Sequence, residues 1–366
     1  MNAQPTPQHF FDLVAATREQ CLANYRAAIA YLGKPAEVLI DAIGTAATGG
    51  KGTRAKLVWR AWQAYGADAA EGALSEAALA QVAASIELFH DSALVHDDLV
   101  DRSDTRRGRP ALHCALATQA REEGWLGDPD QLGEALALLA GDAIMDASQR
   151  VFQDAVADVA PAVRAALTAL HHTTRAEVLA GQFADVLGPQ LTANPLPEAI
   201  TGLAWDVIRA KTARYTVATP LAIGATAAGA SQAEAAKVSA FGLPLGEAFQ
   251  LQDDLAGALG NGDATGKPVG YDLRDGKHTV LVGLTIGRLP HAERAGFFAT
   301  LHASATSDHK VGYLREAIER SGAADEVRRL VRSKTFEALA ALAALDLEEA
   351  GKSVLRDAIV DIIPGA

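Results

Sequence analysis

The chain has 366 residues, 49% of them apolar and 5% aromatic, and a formal net charge of −12. That charge argues against broad nucleic-acid binding and against an anchor on an anionic membrane. The Ala- and Leu-rich composition, with few β-branched runs, favours helices over sheets.

The two cysteines, Cys21 and Cys114, fit no zinc or redox spacing and read as free thiols of a reducing compartment. The polar start of the chain lacks a basic-then-apolar leader, and no uncharged run approaches the ~20 residues that a membrane crossing needs. A cytoplasmic protein without a transmembrane segment is the expectation.

In chain order, residues 8–32 read as an amphipathic helix and Pro35 opens a second. The turn Gly49-Gly50-Lys51-Gly52-Thr53-Arg54 carries two cations three residues apart before a helix over 55–65. Flexible backbone at a helix start beside Lys and Arg can cradle an anion, although a short turn of this kind is more often only a turn.

Apolar residues then recur at helical spacing over 76–103, and Asp97, Asp101 and Asp104 fall on one face at i, i+4 and i+7. Like charges so placed destabilise a helix by about 0.2–0.5 kcal/mol per pair, and a bound cation would offset that. The run Arg106-Arg107-Gly108-Arg109-Pro110 follows at once. Acid for a metal beside base for an anion is the requirement of a metal-bridged phosphate site.

Further helices are expected over 111–121, 131–157, 161–187, 196–229 and 232–257, carrying Gly141-Asp142, Gly181-Gln182 with Asp185, and Lys211-Thr212. The last ends in Gln250-Leu251-Gln252-Asp253-Asp254, followed by a loop dense in Gly and charge that includes Lys267 and Lys277. Helices over 278–288, 291–304, 309–321, 323–345 and 347–362 complete the chain. No Pro-, Gly- and Ser-rich linker divides it, so one all-helical domain, 1–366, is expected.

A single DDxxD run is most often a solvated helix end. Two acidic pairs, each ending an apolar helix and each followed by a basic Gly loop, favour a shared function. Taken singly, His90, His96, Gln182, Gln250 and Lys211 each have a bland reading as satisfied or solvated side chains.

Together, GGKGTR, ELFHDSALVHDDLVDRSDTRRGRP, LAGD, GQFAD, KT and FQLQDDLAG with GDATGKPVGYDLRDGK resemble the trans-isoprenyl diphosphate synthases, or polyprenyl synthetases. The likeness is greatest to the geranylgeranyl-diphosphate-synthase-like branch of actinobacteria. The resemblance implies the all-α isoprenoid synthase fold, a helical bundle around a deep cavity, and usually a homodimer. It also implies Mg²⁺-dependent head-to-tail condensation of an allylic diphosphate with isopentenyl diphosphate, with about three ions held with the diphosphate and Mn²⁺ as an alternative.

Carried over by position, Asp97, Asp101 and Asp253 would ligate metal, with Asp98 and Asp254 supporting them. Arg106, Lys211, Gln250, Lys267 and Lys277 would hold the allylic diphosphate, and Lys51, Arg54, His90 and Arg107 the isopentenyl diphosphate. The chain departs from the pattern at Gly52 and Ala55, where the family commonly has Arg and Pro, and at Gly257, where many members have Asp.

The difficult step is ionisation of an allylic carbon–oxygen bond, followed by attack of the isopentenyl double bond in a dry cavity and proton loss to the departing diphosphate. Product length would be set below Asp97 by Ala93 and Ser92, one turn down, and by Phe89, about 12 Å away. That pattern implies a C20 product, and a longer one if Phe89 turns aside. Three rival readings are a class I terpene cyclase, a non-catalytic partner subunit of a prenyl synthase, and a helical metal-binding scaffold.

Overall fold

The computed structural model describes residues 7–66, 72–191, 195–260, 269–303 and 307–363. It has the all-α architecture that the composition implies. By contact density the chain divides into two compact units: 1–62 with 66–165 and 227–229, and 63–65 with 166–226 and 230–366.

The first unit begins with α1 (Pro7–Ile29), which tightens into a 3₁₀ turn at Ala30–Leu32, and α2 (Lys34–Ala46). Most of α3 (Thr53–Ala64), α4 (Glu76–Val100), α5 (Leu112–Glu122) and α6 (Pro129–Val156) follow. Ser75 caps α4 by accepting the Ala78 N–H, and Asp128 with Pro129 starts α6.

α4 is the hub and packs chiefly against α6 and α1. Its Leu79, Val82, Ile86 and Phe89 are buried, as are Phe10 of α1, Leu57 and Trp62 of α3, and Ala140, Ile144 and Phe152 of α6. Small residues let α4 and α6 approach closely. A Cβ on Gly141 would collide with the imidazole of His96, and the Ser92 hydroxyl donates to the Gly141 carbonyl at 2.8 Å.

The second unit holds most of α7 (Pro161–Leu187), then α8 (Pro197–Val207), a π-helical stretch Ile208–Ala218 and α9 (Thr219–Ala227). α10 (Gln232–Leu259), the one-turn α11 (Tyr271–Arg274), α12 (Val280–Arg288), α13 (His291–Leu301), α14 (Asp308–Ser321), α15 (Ala323–Ala343) and α16 (Glu349–Ile362) complete it. A capping box between Ser231 and Glu234 starts α10. α10 packs mainly on α15 and on the π stretch.

Three details correct the sequence reading. The helix expected over 76–103 stops at Val100, with Asp101 as its C-cap. Arg102 takes φ +50°, Ser103 N–H bonds to Asp98 O and Arg102 N–H to Leu99 O, which is a Schellman stop built on Arg in place of Gly. Asp104 therefore lies beyond the helix and does not share the face of Asp97 and Asp101.

The arginine run, expected as a loop, is a hairpin. β1 (Thr105–Arg106) pairs antiparallel with β2 (Arg109–Pro110) across a turn in which Arg107 and Gly108 both have positive φ.

The helix expected over 196–229 changes its winding in the middle. Pro220 lacks an N–H and its ring crowds the preceding turn, which favours a wider ladder just before it. Glycines of neighbouring helices accept the widened backbone. A Cβ on Gly246 would lie 2.6 Å from Ala213 Cα, and one on Gly181 would lie 2.9 Å from Lys211 N.

Gly246→Ala is expected to overpack this contact and to destabilise the fold by about 1–3 kcal/mol, read as a lowered midpoint in thermal or urea unfolding.

Candidate active site

In the first unit, the C-terminal turns of α4 carry Asp97, Asp98 and Asp101. Asp98 is buried, while Asp97 and Asp101 are half-buried. The hairpin aims consecutive arginines at different partners. Arg106 Nε donates to Asp98 Oδ1 at 2.8 Å, and its Nη2 reaches Asp97 Oδ2 at 3.2 Å. Arg107 instead turns to the Thr48 carbonyl at 3.2 Å. The resemblance assigned these two adjacent cations to different diphosphates, and in the structure they turn to different partners.

Around Arg107 lies a second cationic group. A Cβ on Gly50 would be 3.0 Å from Arg107 Nη2, so the Gly-rich turn packs directly on that guanidinium. Arg54 is buried, Lys51 is exposed on the same turn, and His90 of α4 sits among Arg54, Arg107, Arg106 and Arg18. Burial first, and those guanidiniums second, hold the His90 imidazole well below its usual range, so it is neutral at neutral pH.

At the two departures in this region, Gly52 has φ +58°. Ala55 is buried, and its N–H donates to Glu87 at 3.0 Å. Pro at 55 would lose that bond, which accounts for Ala there.

In the second unit, the last turns of α10 carry Asp253, exposed, and Asp254, buried, with Gln250 donating to Asp254 at 2.8 Å. Burial and then the neighbouring Asp272 carboxylate lift Asp254 well above the ordinary carboxyl range. Lys211, on the π stretch, donates to Asp185 of α7 at 2.9 Å, and Lys277 lies 3.8 Å from Asp272. Lys267 falls outside the described residues.

The Gly257 departure has a geometric reason that the sequence did not reveal. A Cβ at 257 would lie 2.0 Å from Asp272 Oδ2 and 3.1 Å from Tyr271 Cζ. The Asp272 carboxylate, from the short helix α11, already fills the space where a side chain at 257 would project. Sequence reasoning assigned no site role to Asp272, Asp185, Asp91 or Arg18. The one available signal for Asp272 was a second acidic motif short of an acid, followed within one loop by another aspartate.

Of the residues expected at the chain-length floor, Ser92 and Phe89 are buried, with Ser92 tied to α6, and Ala93 is half-buried.

The carboxylates of both groups are oxygen donors flanked by Arg, Lys and Gln, and this chemistry suits a hard divalent cation. Among the described residues no three or more His, Cys, Asp or Glu side chains form a ready-made metal cage.

An all-helical chain with DDxxD-type helix ends and separate cation sets belongs to the class of diphosphate-handling isoprenoid enzymes. The polyprenyl synthetase pattern matches residues 37–318. A (2E,6E)-farnesyl diphosphate synthase of Mycobacterium tuberculosis is 36% identical over 292 residues, 77% of this chain and 71% of that protein. A geranylgeranyl diphosphate synthase of the same species is 32% identical over 302 residues, 81% and 76% of the two chains.

In three dimensions, a Corynebacterium glutamicum geranylgeranyl pyrophosphate synthase, solved with isoprenyl diphosphate and magnesium, superposes with a TM-score of 0.87 at 32% identity. The match covers 96% of this chain and 97% of that one. The chain belongs to the polyprenyl synthetase family and is, by that membership, a prenyltransferase.

Gly257→Asp, which would restore the commoner family residue, is expected to lower both thermal stability and turnover, because the new side chain collides with Asp272. Wild-type melting and wild-type rates in that variant would show that the Asp272 carboxylate does not occupy this space.

Proposed function

We propose that the chain is a Mg²⁺-dependent trans-prenyl diphosphate synthase that condenses an allylic diphosphate with isopentenyl diphosphate, head to tail, and that its main product is C20 geranylgeranyl diphosphate. The observation that carries this reading is the division of labour in the hairpin. Arg106 is bound to the aspartates at the end of α4, and Arg107 is bound to the Gly-rich turn with Arg54 and His90. Two cation sets side by side suit two diphosphates held in register for reaction, which is chiefly an orientation effect.

In this reading Asp97 and Asp101 at the end of α4 hold metal, as does Asp253 on α10, with Asp98 and Asp254 as supports. Bound Mg²⁺ neutralises charge that builds up on the departing diphosphate. Arg106, Lys211, Gln250, Lys267 and Lys277 bind the allylic diphosphate, and Asp185 orients Lys211. Lys51, Arg54, Arg107 and His90 bind isopentenyl diphosphate. The neutral His90 donates one N–H without adding a further charge to that group.

The allylic carbon–oxygen bond breaks, the isopentenyl double bond attacks the resulting cation, and the proton lost from the new chain passes to a diphosphate oxygen. No dedicated His or Glu base is needed. Apolar, water-free surroundings protect the cation from capture. The protein works as one prenyl synthetase domain in the cytoplasm and as a homodimer.

For product length, Ala93 is the open position one turn before Asp97, because Ser92 and Phe89 are turned into packing. The curated relatives include both farnesyl and geranylgeranyl synthases, and a small residue at 93 supports the longer product.

The test is an assay of purified protein with isopentenyl diphosphate and C5, C10 or C15 allylic diphosphates, with products sized by mass spectrometry. The expected result is Mg²⁺-dependent elongation to C20. Elongation that survives chelation, or a cyclised hydrocarbon, would contradict it. Asp97→Asn should cut turnover by about 10²-fold or more while leaving the helical circular dichroism unchanged. Ala93→Phe should shift the product towards C15, and an unchanged C20 distribution would remove Ala93 from the chain path.

A further inference from the structure

Asp91 follows His90 on α4 and is only 3% exposed, yet none of the roles above uses it. A carboxylate buried inside an apolar helix is costly unless its partners are fixed. Its partners come from two other parts of the chain. Arg18 of α1 donates to Oδ2 and, through the same nitrogen, to the Ala47 carbonyl at 2.7 Å. The other oxygen, Oδ1, faces Arg107 Nη2 at 4.0 Å.

Arg107 in turn donates to the Thr48 carbonyl and lies against Gly49 and Gly50. One buried carboxylate thus connects the first helix, the backbone at 47–48 and the guanidinium on which the Gly-rich turn packs. The Arg107 contact to Asp91 is long, 4.0 Å, and is made by Nη2, while Nη1 is the nitrogen that donates to Thr48.

We propose that Asp91, acting with Arg18, is the positioning residue for isopentenyl diphosphate: the pair fixes the 47–50 turn and the Arg107 guanidinium in the conformation that receives the anion. This rests on the reading that Arg107 and Lys51 take isopentenyl diphosphate. α1 therefore does more than cover α4, since its Arg18 holds in place a carboxyl that burial, against the pull of Arg18 and Arg107, pushes up to about 7. Losing either partner should loosen one substrate's subsite and leave the other's intact, because Arg106 and the α4 aspartates have their own mutual bonds.

The experiment is steady-state kinetics on full-length Asp91→Asn, Arg18→Gln and the double variant, varying each diphosphate in turn, with Arg107→Gln as the reference. The expected result is a rise in KM for isopentenyl diphosphate of about tenfold in each single variant, with kcat and the allylic KM within about twofold of wild type. The double variant should be no worse than the worse single one, as expected for residues acting through one contact.

An unchanged isopentenyl KM in both single variants, with Arg107→Gln impaired, would overturn the proposal while leaving the site assignment standing. So would an equal rise in both KM values. If Arg107→Gln leaves the isopentenyl KM unchanged, the site assignment itself fails, and the proposal with it. Should Asp91→Asn not fold, the half-exposed Arg18 still decides the outcome through its own KM split.

Discussion

Carboxylates gathered at the C-terminal end of a helix meet two repulsions at once, from one another and from the negative end of the helix dipole. Both acidic ends of this protein are built that way. Asp97, Asp98 and Asp101 sit on the last turn and cap of α4, and Asp253 and Asp254 on the last turns of α10. Neither end is relieved by choosing milder residues. Relief comes instead from hydrogen bonds: Arg106, outside the helix, donates to Asp98 and Asp97 at one end, and Gln250, one turn back on α10 itself, donates to Asp254 at the other. The oxygen donors at each end suit a hard divalent cation, and the side chains beside them are cationic or amide.

The surrounding structure positions those cations by backbone geometry and small residues. A two-residue hairpin turn sends Arg106 and Arg107 to different partners. A π-helical stretch brings Lys211 to Asp185, and it fits because Gly181 and Gly246 leave room for its backbone. Gly141 does the same for the His96 ring directly beside Asp97. Side chains placed on packed elements are held more closely than side chains on free loops, and an ionisation step depends on that.

Much of this was legible in the sequence. Helical periodicity located α4, α7 and α10 to within a few residues, because their buried faces are long and apolar. The pairing of two acidic helix ends with basic Gly turns pointed to diphosphate chemistry. Local deviations were not legible, since each depends on tertiary partners. Nothing in Asp101-Arg102-Ser103 announces a Schellman stop, as Arg in a left-handed conformation is uncommon. Arg107 with positive φ conceals the hairpin for the same reason. Gly257 read as a missing ligand because the carboxylate that fills its space, on Asp272, lies fifteen residues further along the chain. The Asp91–Arg18 pair spans a separation of 73 residues, which no local pattern reports.

The most direct measurement of the central claim is calorimetric titration of inorganic diphosphate into the full-length protein, with Mg²⁺ and again with a chelator. If the acidic helix ends hold diphosphate through bound cations, binding will be saturable with Mg²⁺ and lost without it. Equal binding in the presence of chelator would contradict the account, because it would leave the aspartates no part in holding the diphosphate.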